Sequence, residues 1–192
     1  LMPDRTPRPF ALLPWPPAVS LVLFAHRIDG LEAGLYLLVR DPSHADPLRD
    51  ALSPDLDWER PLGCPDELPL VRLRRGDLRT RARDIACRQD IAADGAFAVA
   101  MLARFAEPIV AHGPGMYPRL FWETGVVGQM LYLAAESAGL QGTGIGCFFD
   151  DEMHGLLGLN DYTWQSLYHF TVGRGVSDPR IQSAPAYDRL PG

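Results

Sequence analysis

The sequence predicts one domain in which strands and helices are mixed. Three observations carry this reading. The chain has 192 residues, a length that suits one domain with a substantial core. Two apolar stretches, "AVSLVLFAHRI" (18–28) and "LYLLVRD" (35–41), flank the turn "DGLEAG" and read as a β-hairpin. Further on, "YPRLFWETGVVGQMLYLAAESAG" carries apolar residues at helical spacing over roughly 119–138, with Gly139 placed as its stop.

The remaining elements follow in chain order. Residues 1–18 hold Pro3, Pro7, Pro9, Pro14, Pro16 and Pro17 and read as an extended arm or linker ahead of a domain over 19–192. The Asp- and Pro-rich stretch 41–69 has room for one short helix at 46–52, and "LVRLRRGD" (70–77) reads as a third strand. "DLRTRARDIACRQDIAADGA" turns helical, with Asp77 as its N-cap. The run "AFAVAMLARF" (96–105) fits a strand or a buried helix, and periodicity does not separate the two. Near the start of the long helix, Gly125 and Gly128 make a flat strip that another backbone can approach, at about 1 kcal/mol per helical glycine relative to Ala. "FDDEMHGLLGL" reads as a short helix capped by Asp150 and closed by Gly158. "SLYHFTVGRG" (166–175) is the last strand.

Composition narrows the function classes. The net charge of −6 argues against binding a nucleic-acid backbone, which needs a basic face. All 18 basic residues are Arg, which removes a lysine base, a Schiff base and the lysine of a Walker phosphate loop. Cys64, Cys87 and Cys147 are widely spaced with no CxxC, so neither a zinc ribbon nor a disulfide framework is indicated. A reducing cytoplasm is the expected setting. No apolar run approaches the roughly 18 residues needed to span a bilayer.

The densest chemistry lies in "GLQGTGIGCFFDDEMHGLLGL" (139–159). Four readings compete there. Cys147, Asp151 and His154 fall at spacings of four and three, which suits a metal if the helix reaches back to Cys147. "GTGIGC" is a poor match to a nucleotide phosphate loop. A Cys–His nucleophile pair competes with a cysteine that is a small buried hydrophobe beside Phe148 and Phe149. A flavin needs a loop whose backbone lies against a flat ring, which glycine permits because no Cβ stands off the ligand.

From about Val19 to Pro191 the chain resembles the FMN-dependent nitroreductase-like flavoproteins. Its nearest branch is the dehydrogenase type that includes azoline (thiazole and oxazole) dehydrogenases. The order and spacing of "GLYLL", "CRQDIAADGAFAVAM", "WETGVVGQMLYLAAESAGL", "TGIGCFFDDEMHGLLGL" and "SLYHFTVG" carry the resemblance. It implies an α+β fold, a mixed, mainly antiparallel sheet wrapped by helices. It also implies an FMN-dependent oxidoreductase. Gly144, Ile145, Gly146 and Cys147 would line the flavin ring, with the Gly146 N–H near N5. Gln89 would bond the pyrimidine edge. Arg189 would meet the phosphate, with Arg174 as a further candidate.

The chain also departs from that pattern. The family's Arg-Ser-x-Arg arm is only imitated by "RTPRPF" (5–10), and the usual N-terminal helices have no room, so the arm is incomplete. The Lys-Tyr pair of azoline dehydrogenases is reduced to Tyr117. Their catalytic mechanism therefore does not carry over intact, and no catalytic residue is assigned. FMN is expected to bind weakly to this chain alone, which starts at Leu1 and fits one half of a tandem protein or a trimmed chain. The expected partner is a second copy or a sister domain of the same fold, acting on a small molecule or peptide. The alternative is a flavin-free partner domain that completes a sister's site.

Overall fold

The hairpin forms as β1 (Val19–Ala25) and β2 (Gly34–Leu38) in the computed structural model, which describes residues 12–176 and 178–181. The strands pair antiparallel, with Leu23 opposite Tyr36. β3 (Leu70–Arg75) adds to the outer side of β2. Between them lies α1 (Ala45–Ala51), close to the predicted short helix. Next come α2 (Arg79–Ile85) and α3 (Ile91–Asp94). Leu78 stands at the α2 N-cap position, and Asp77, one residue earlier, accepts the Arg79 N–H at 3.0 Å, so the capping role falls on the predicted residue.

The ambiguous run becomes β4 (Phe97–Arg104). It pairs with β1 on one side and with β6 (Trp164–Gly173) on the other. Both of its faces are also covered. Ala98, Ala100 and Leu102 join one apolar cluster, while Val99, Met101 and Ala103 join another. A strand buried on both faces has no polar alternation to read. β5 (Gln141–Ile145) pairs with β6, which gives a six-stranded sheet in the order β3-β2-β1-β4-β6-β5, antiparallel throughout among the described residues.

Helices cover both faces of the sheet. On one side α1, α2, α3 and α6 (Asp150–Leu157) bury Leu48, Ile85, Ala92, Met153 and Leu157 against Val22, Leu35, Leu37 and Trp164. On the other side α5 (Met116–Ser137) lays Val127, Leu131 and Ala135 on Leu21, Phe170 and Val172. Each Val, Leu, Ile, Met or Phe among these contributes about 1.5–3 kcal/mol when fully buried. α4 (Ala106–His112), which was not foreseen, links β4 to α5.

A buried ion pair fixes α5 to the sheet. Glu123 accepts from Arg40 Nη1 at 2.6 Å and from the Ala18 and Val19 N–H groups at 2.9 and 3.2 Å. Just upstream, Trp15 packs on Trp122 with ring centroids 6.2 Å apart.

Four sequence expectations change. Asp150 is the first helical residue of α6 and Phe149 is its N-cap, because the chain enters from an extended Phe149. The glycine-rich 141–145 stretch is a strand rather than a loop. α5 starts at Met116, so Tyr117 sits on the helix rather than before it. Cys87 and Cys147 form a disulfide where none was indicated. Gly139 and Gly158, with φ of 68° and 78°, do end α5 and α6 in the left-handed region that favours glycine. Among the described residues no helix is long and apolar enough to cross a membrane.

Candidate functional site

β5 is an edge strand: β6 flanks it on one side, and no strand of the described residues flanks the other. Its register sets Gln141 opposite Gly173 and Ile145 opposite His169. Arg174, which follows Gly173, therefore lies at one end of β5, and Gly146 and Cys147 lie at the other. The five steps from Gln141 to Gly146 span roughly 17 Å.

Gln89 reaches the Cys147 end. Its Nε2 donates to Ala86 O at 2.8 Å and to Cys147 O at 3.1 Å. Two carbonyl acceptors fix which end of the amide is nitrogen, and they leave its Oε1 as the end that can accept a bond from elsewhere. Cys147 is bonded to Cys87 in the same turn, with Cα atoms 5.9 Å apart. The Phe149 N–H donates to Ile85 O at 2.8 Å, and Phe148 stacks on His169 with centroids 4.2 Å apart. The segment 146–149 is thus held from α2, from the Gln89 turn and from β6.

The glycines of β5 divide by environment. The Gly144 N–H donates to the Tyr132 hydroxyl at 2.8 Å, and a Cβ there would run into the Tyr168 hydroxyl. A Cβ at Gly142 would meet the Phe170 ring at 2.7 Å. Both glycines make room for aromatic side chains of their own chain, so Gly144 turns toward tyrosines rather than toward open space. The Ile145 side chain is buried in the core. Gly146 differs: nothing of the described residues lies within 4 Å of a Cβ there, its φ is outside the left-handed region, and it is exposed. Among the described residues, no contact or backbone need calls for glycine at 146. An L-residue would be accommodated unless a flat ligand lies against it.

That contrast gives a direct expectation. Gly146→Ala should leave the fold unchanged or raise its stability by roughly 0.4–1 kcal/mol through the unfolded chain. Gly144→Ala should cost about 1–3 kcal/mol by displacing Tyr168. Thermal melting of the two variants checks this, and a Gly146→Ala protein that melts far below the parent would contradict it.

Beside the Arg174 end, a groove of about 450 Å³ is lined by Ile91, Asp94, Thr143, Thr171, Gly173 and Arg174, among others. Arg174 is exposed, forms no ion pair among the described residues and can meet an anion in the groove, although the Asp94 carboxylate would repel that anion. Arg189 lies outside the described residues, as does the "RTPRPF" stretch. The metal and nucleophile readings are not realised. The Cys147 sulfur is bonded to Cys87, and His154 faces inward, where its Nε2 accepts the Ser166 N–H at 3.0 Å. Burial lowers the His154 pKa, and it holds His169, which shares a 2.9 Å hydrogen bond with the Ser166 hydroxyl, down to about 3. Both act as neutral packing groups behind the 146–149 segment. Phe148 anchors that segment as expected, but Phe149 is 49% exposed and anchors through its backbone alone.

The sequence model of the nitroreductase family matches residues 66–174, a stretch that runs from just before β3 to Arg174 and includes both ends of this site. The chain belongs to the nitroreductase family. These proteins are typically flavin-dependent oxidoreductases. Among solved structures, a chain from Anabaena variabilis assigned to the nitroreductases superposes with a TM-score of 0.62 at 24% identity, covering 82% of this chain and 27% of its own length. A similarly assigned chain from Ralstonia eutropha gives 0.56 at 18% identity, covering 90% of this chain and 63% of its own. The E. coli microcin synthetase McbBCD complex, with truncated pro-MccB17 bound, gives 0.59 at 16% identity, covering 92% and 59%. These likenesses show the nitroreductase fold. This chain spans about a quarter of the Anabaena protein and under two thirds of the other two. No curated protein matches it.

Proposed function

We propose that this nitroreductase-family domain is an FMN-dependent oxidoreductase of the dehydrogenase type, with the flavin laid along the open edge of β5. The observation that carries the reading is Gly146, exposed, unstrained and with no described residue within 4 Å of where a Cβ would stand, next to the Cys147 carbonyl that holds the Gln89 amide nitrogen and leaves its oxygen to accept. In this reading the ring lies against Gly146 and the Cys147 backbone, and Gln89 Oε1 accepts from a ring N–H. Gly144 and Ile145 contribute backbone alone. Arg174 and Arg189 hold the phosphate. Bound FMN supplies the hydride or electron transfer, and the protein supplies placement and electrostatics. The substrate class is a small molecule or peptide, and the setting is the cytoplasm.

The partner we propose is a second copy or a sister domain. Phe121, Trp122, Tyr132 and Leu133 remain exposed on α5, and nothing of the described residues fills the space beside Gly125, whereas Gly128 makes room for Tyr168. The short span against the Anabaena chain favours a second reading, in which this domain is flavin-free and completes a sister's site.

Titrating FMN and riboflavin against the chain, with flavin fluorescence as readout, separates these readings. FMN should bind more tightly than riboflavin. Arg174→Ala should remove about a tenfold share of that preference, the loss of one charge-assisted bond. Gly146→Ala should weaken both ligands together. A chain that stays colourless and binds neither flavin, alone or as a dimer, overturns the first reading in favour of the second.

A further inference from the structure

The disulfide is the feature that the proposed flavin site does not use. We infer that Cys87 and Cys147 form a redox site, a reversible clasp that takes two electrons from a thiol reductant and thereby frees the Gln89 turn from the end of β5. The pair joins residues 60 apart in sequence, across the two segments that carry the site. Cys147 is exposed and Cys87 is half-buried, so small thiols can reach the bond. Arg88 stands next to Cys87, and a cationic neighbour favours the departing thiolate.

The turn itself is under conformational load. Cys87 and Arg88 are consecutive non-glycine residues with φ of 53° and 60°. Side chains disfavour that region, and residues remain there only when their surroundings over-determine them. Two direct links hold this turn against Cys147: the disulfide and the Gln89 Nε2 bond to Cys147 O. Reduction leaves the Gln89 bond as the remaining direct link from the turn to Cys147, beside local bonds such as that of the Gln89 N–H to Ala86 O. The 146–149 segment keeps its own anchors on Ile85 and His169, so the Gln89 side is the one that moves. If the chain sits in a reducing compartment, a disulfide of this kind belongs to the transient or sensing class rather than the structural one.

The chemistry balances without further components. A dithiol's thiolate attacks the exposed Cys147 sulfur, and Cys87 leaves as a thiolate and takes up a proton. The second thiol of the reductant then displaces Cys147 and closes a cyclic disulfide. Two electrons and two protons pass to the protein. A small-molecule disulfide reverses the exchange.

The test holds the chain either in excess dithiothreitol or in its oxidised cyclic form. In the oxidised form, alkylation of the unfolded chain should label Cys64 alone, the free cysteine of the described residues, and in the reduced form Cys87 and Cys147 as well. Limited trypsin should cut after Arg88 about tenfold faster or more in the reduced form, and reoxidation should restore the slow rate. Cys87→Ser should cut fast in both media, and Cys64→Ser should behave as the parent. Full alkylation before any reductant is added, or equal cleavage rates at Arg88 in both forms, overturns the clasp. A second arm rests on the proposed flavin site: FMN should bind about tenfold more weakly to the reduced chain. If cleavage at Arg88 still switches but FMN binds neither form, the clasp stands and the flavin reading falls.

Discussion

Glu123→Ala should destabilise the fold by about 3–5 kcal/mol, the scale for removing one partner of a buried ion pair. Arg40 and Glu123 have side chains only 1% exposed. The carboxylate holds the guanidinium together with the Ala18 and Val19 N–H groups, while Arg40 Nη1 also donates to Val19 O at 2.9 Å. Removing the carboxylate therefore takes one buried acceptor away from the Arg40 guanidinium and from two backbone amides. Because a domain's whole stability is of order 5–15 kcal/mol, this loss is a large fraction of the total and should lower the melting temperature and urea midpoint clearly. Arg40→Met paired with Glu123→Leu should recover most of the loss, since it removes both charges and keeps the volume. Urea unfolding of the single and double variants gives the coupling directly. A loss below about 1 kcal/mol for Glu123→Ala would mean that water reaches the pair. The pair matters for the site because α5 carries Tyr132, which receives the Gly144 N–H.

Much of this architecture can be read locally. The β1–β2 hairpin, α5 with its Gly139 stop, α6 with Gly158 and the strand after Asp161 each have a signal within their own residues. What cannot be read is set at a distance. "QGTGI" has poor strand propensity, yet it is a strand because β6 offers a pairing edge and Gly142 and Gly144 admit Phe170 and Tyr168. The apolar run 97–104 becomes a strand because β1 and β6 flank it. Glu123 sits in a helical "WETG" and looks solvated, while its partner Arg40 lies 83 residues away. An odd number of cysteines at wide spacing hides a pair that the fold brings together. For the candidate site, the family resemblance suggests positions but does not distinguish Gly144, which faces its own tyrosines, from Gly146, which faces space open among the described residues. Only the packing around each glycine separates them.

Acid should unfold the protein early, beginning as the pH falls below about 6.5. His26, His44, His154 and His169 all have pKa values lowered chiefly by burial, and His169 is held down to about 3. The direction follows from linkage. Above pH 6.5 these groups are neutral whether the chain is folded or not, so the full stability is present. Between 6.5 and about 3 the unfolded chain binds a proton on His169 that the folded one refuses, so stability falls as the pH falls. One resisting histidine removes about 1.4 kcal/mol per pH unit across that window, up to roughly 4–5 kcal/mol for His169 alone. The carboxylates Glu59, Asp77 and Asp178, whose pKa values are lowered by hydrogen bonds to arginines, act in the same direction at lower pH. His169 is the decisive group because its ring lies between the Ser166 hydroxyl and the Phe148 ring. A charge there must draw in water, and that opens the stack behind Cys147. His169→Gln keeps an amide for Ser166 and removes the titration. Its urea midpoint should therefore fall less steeply between pH 6 and 4 than the parent's. Equal slopes for the two proteins would show that His169 is already protonated in the fold, or that it meets solvent before the fold opens.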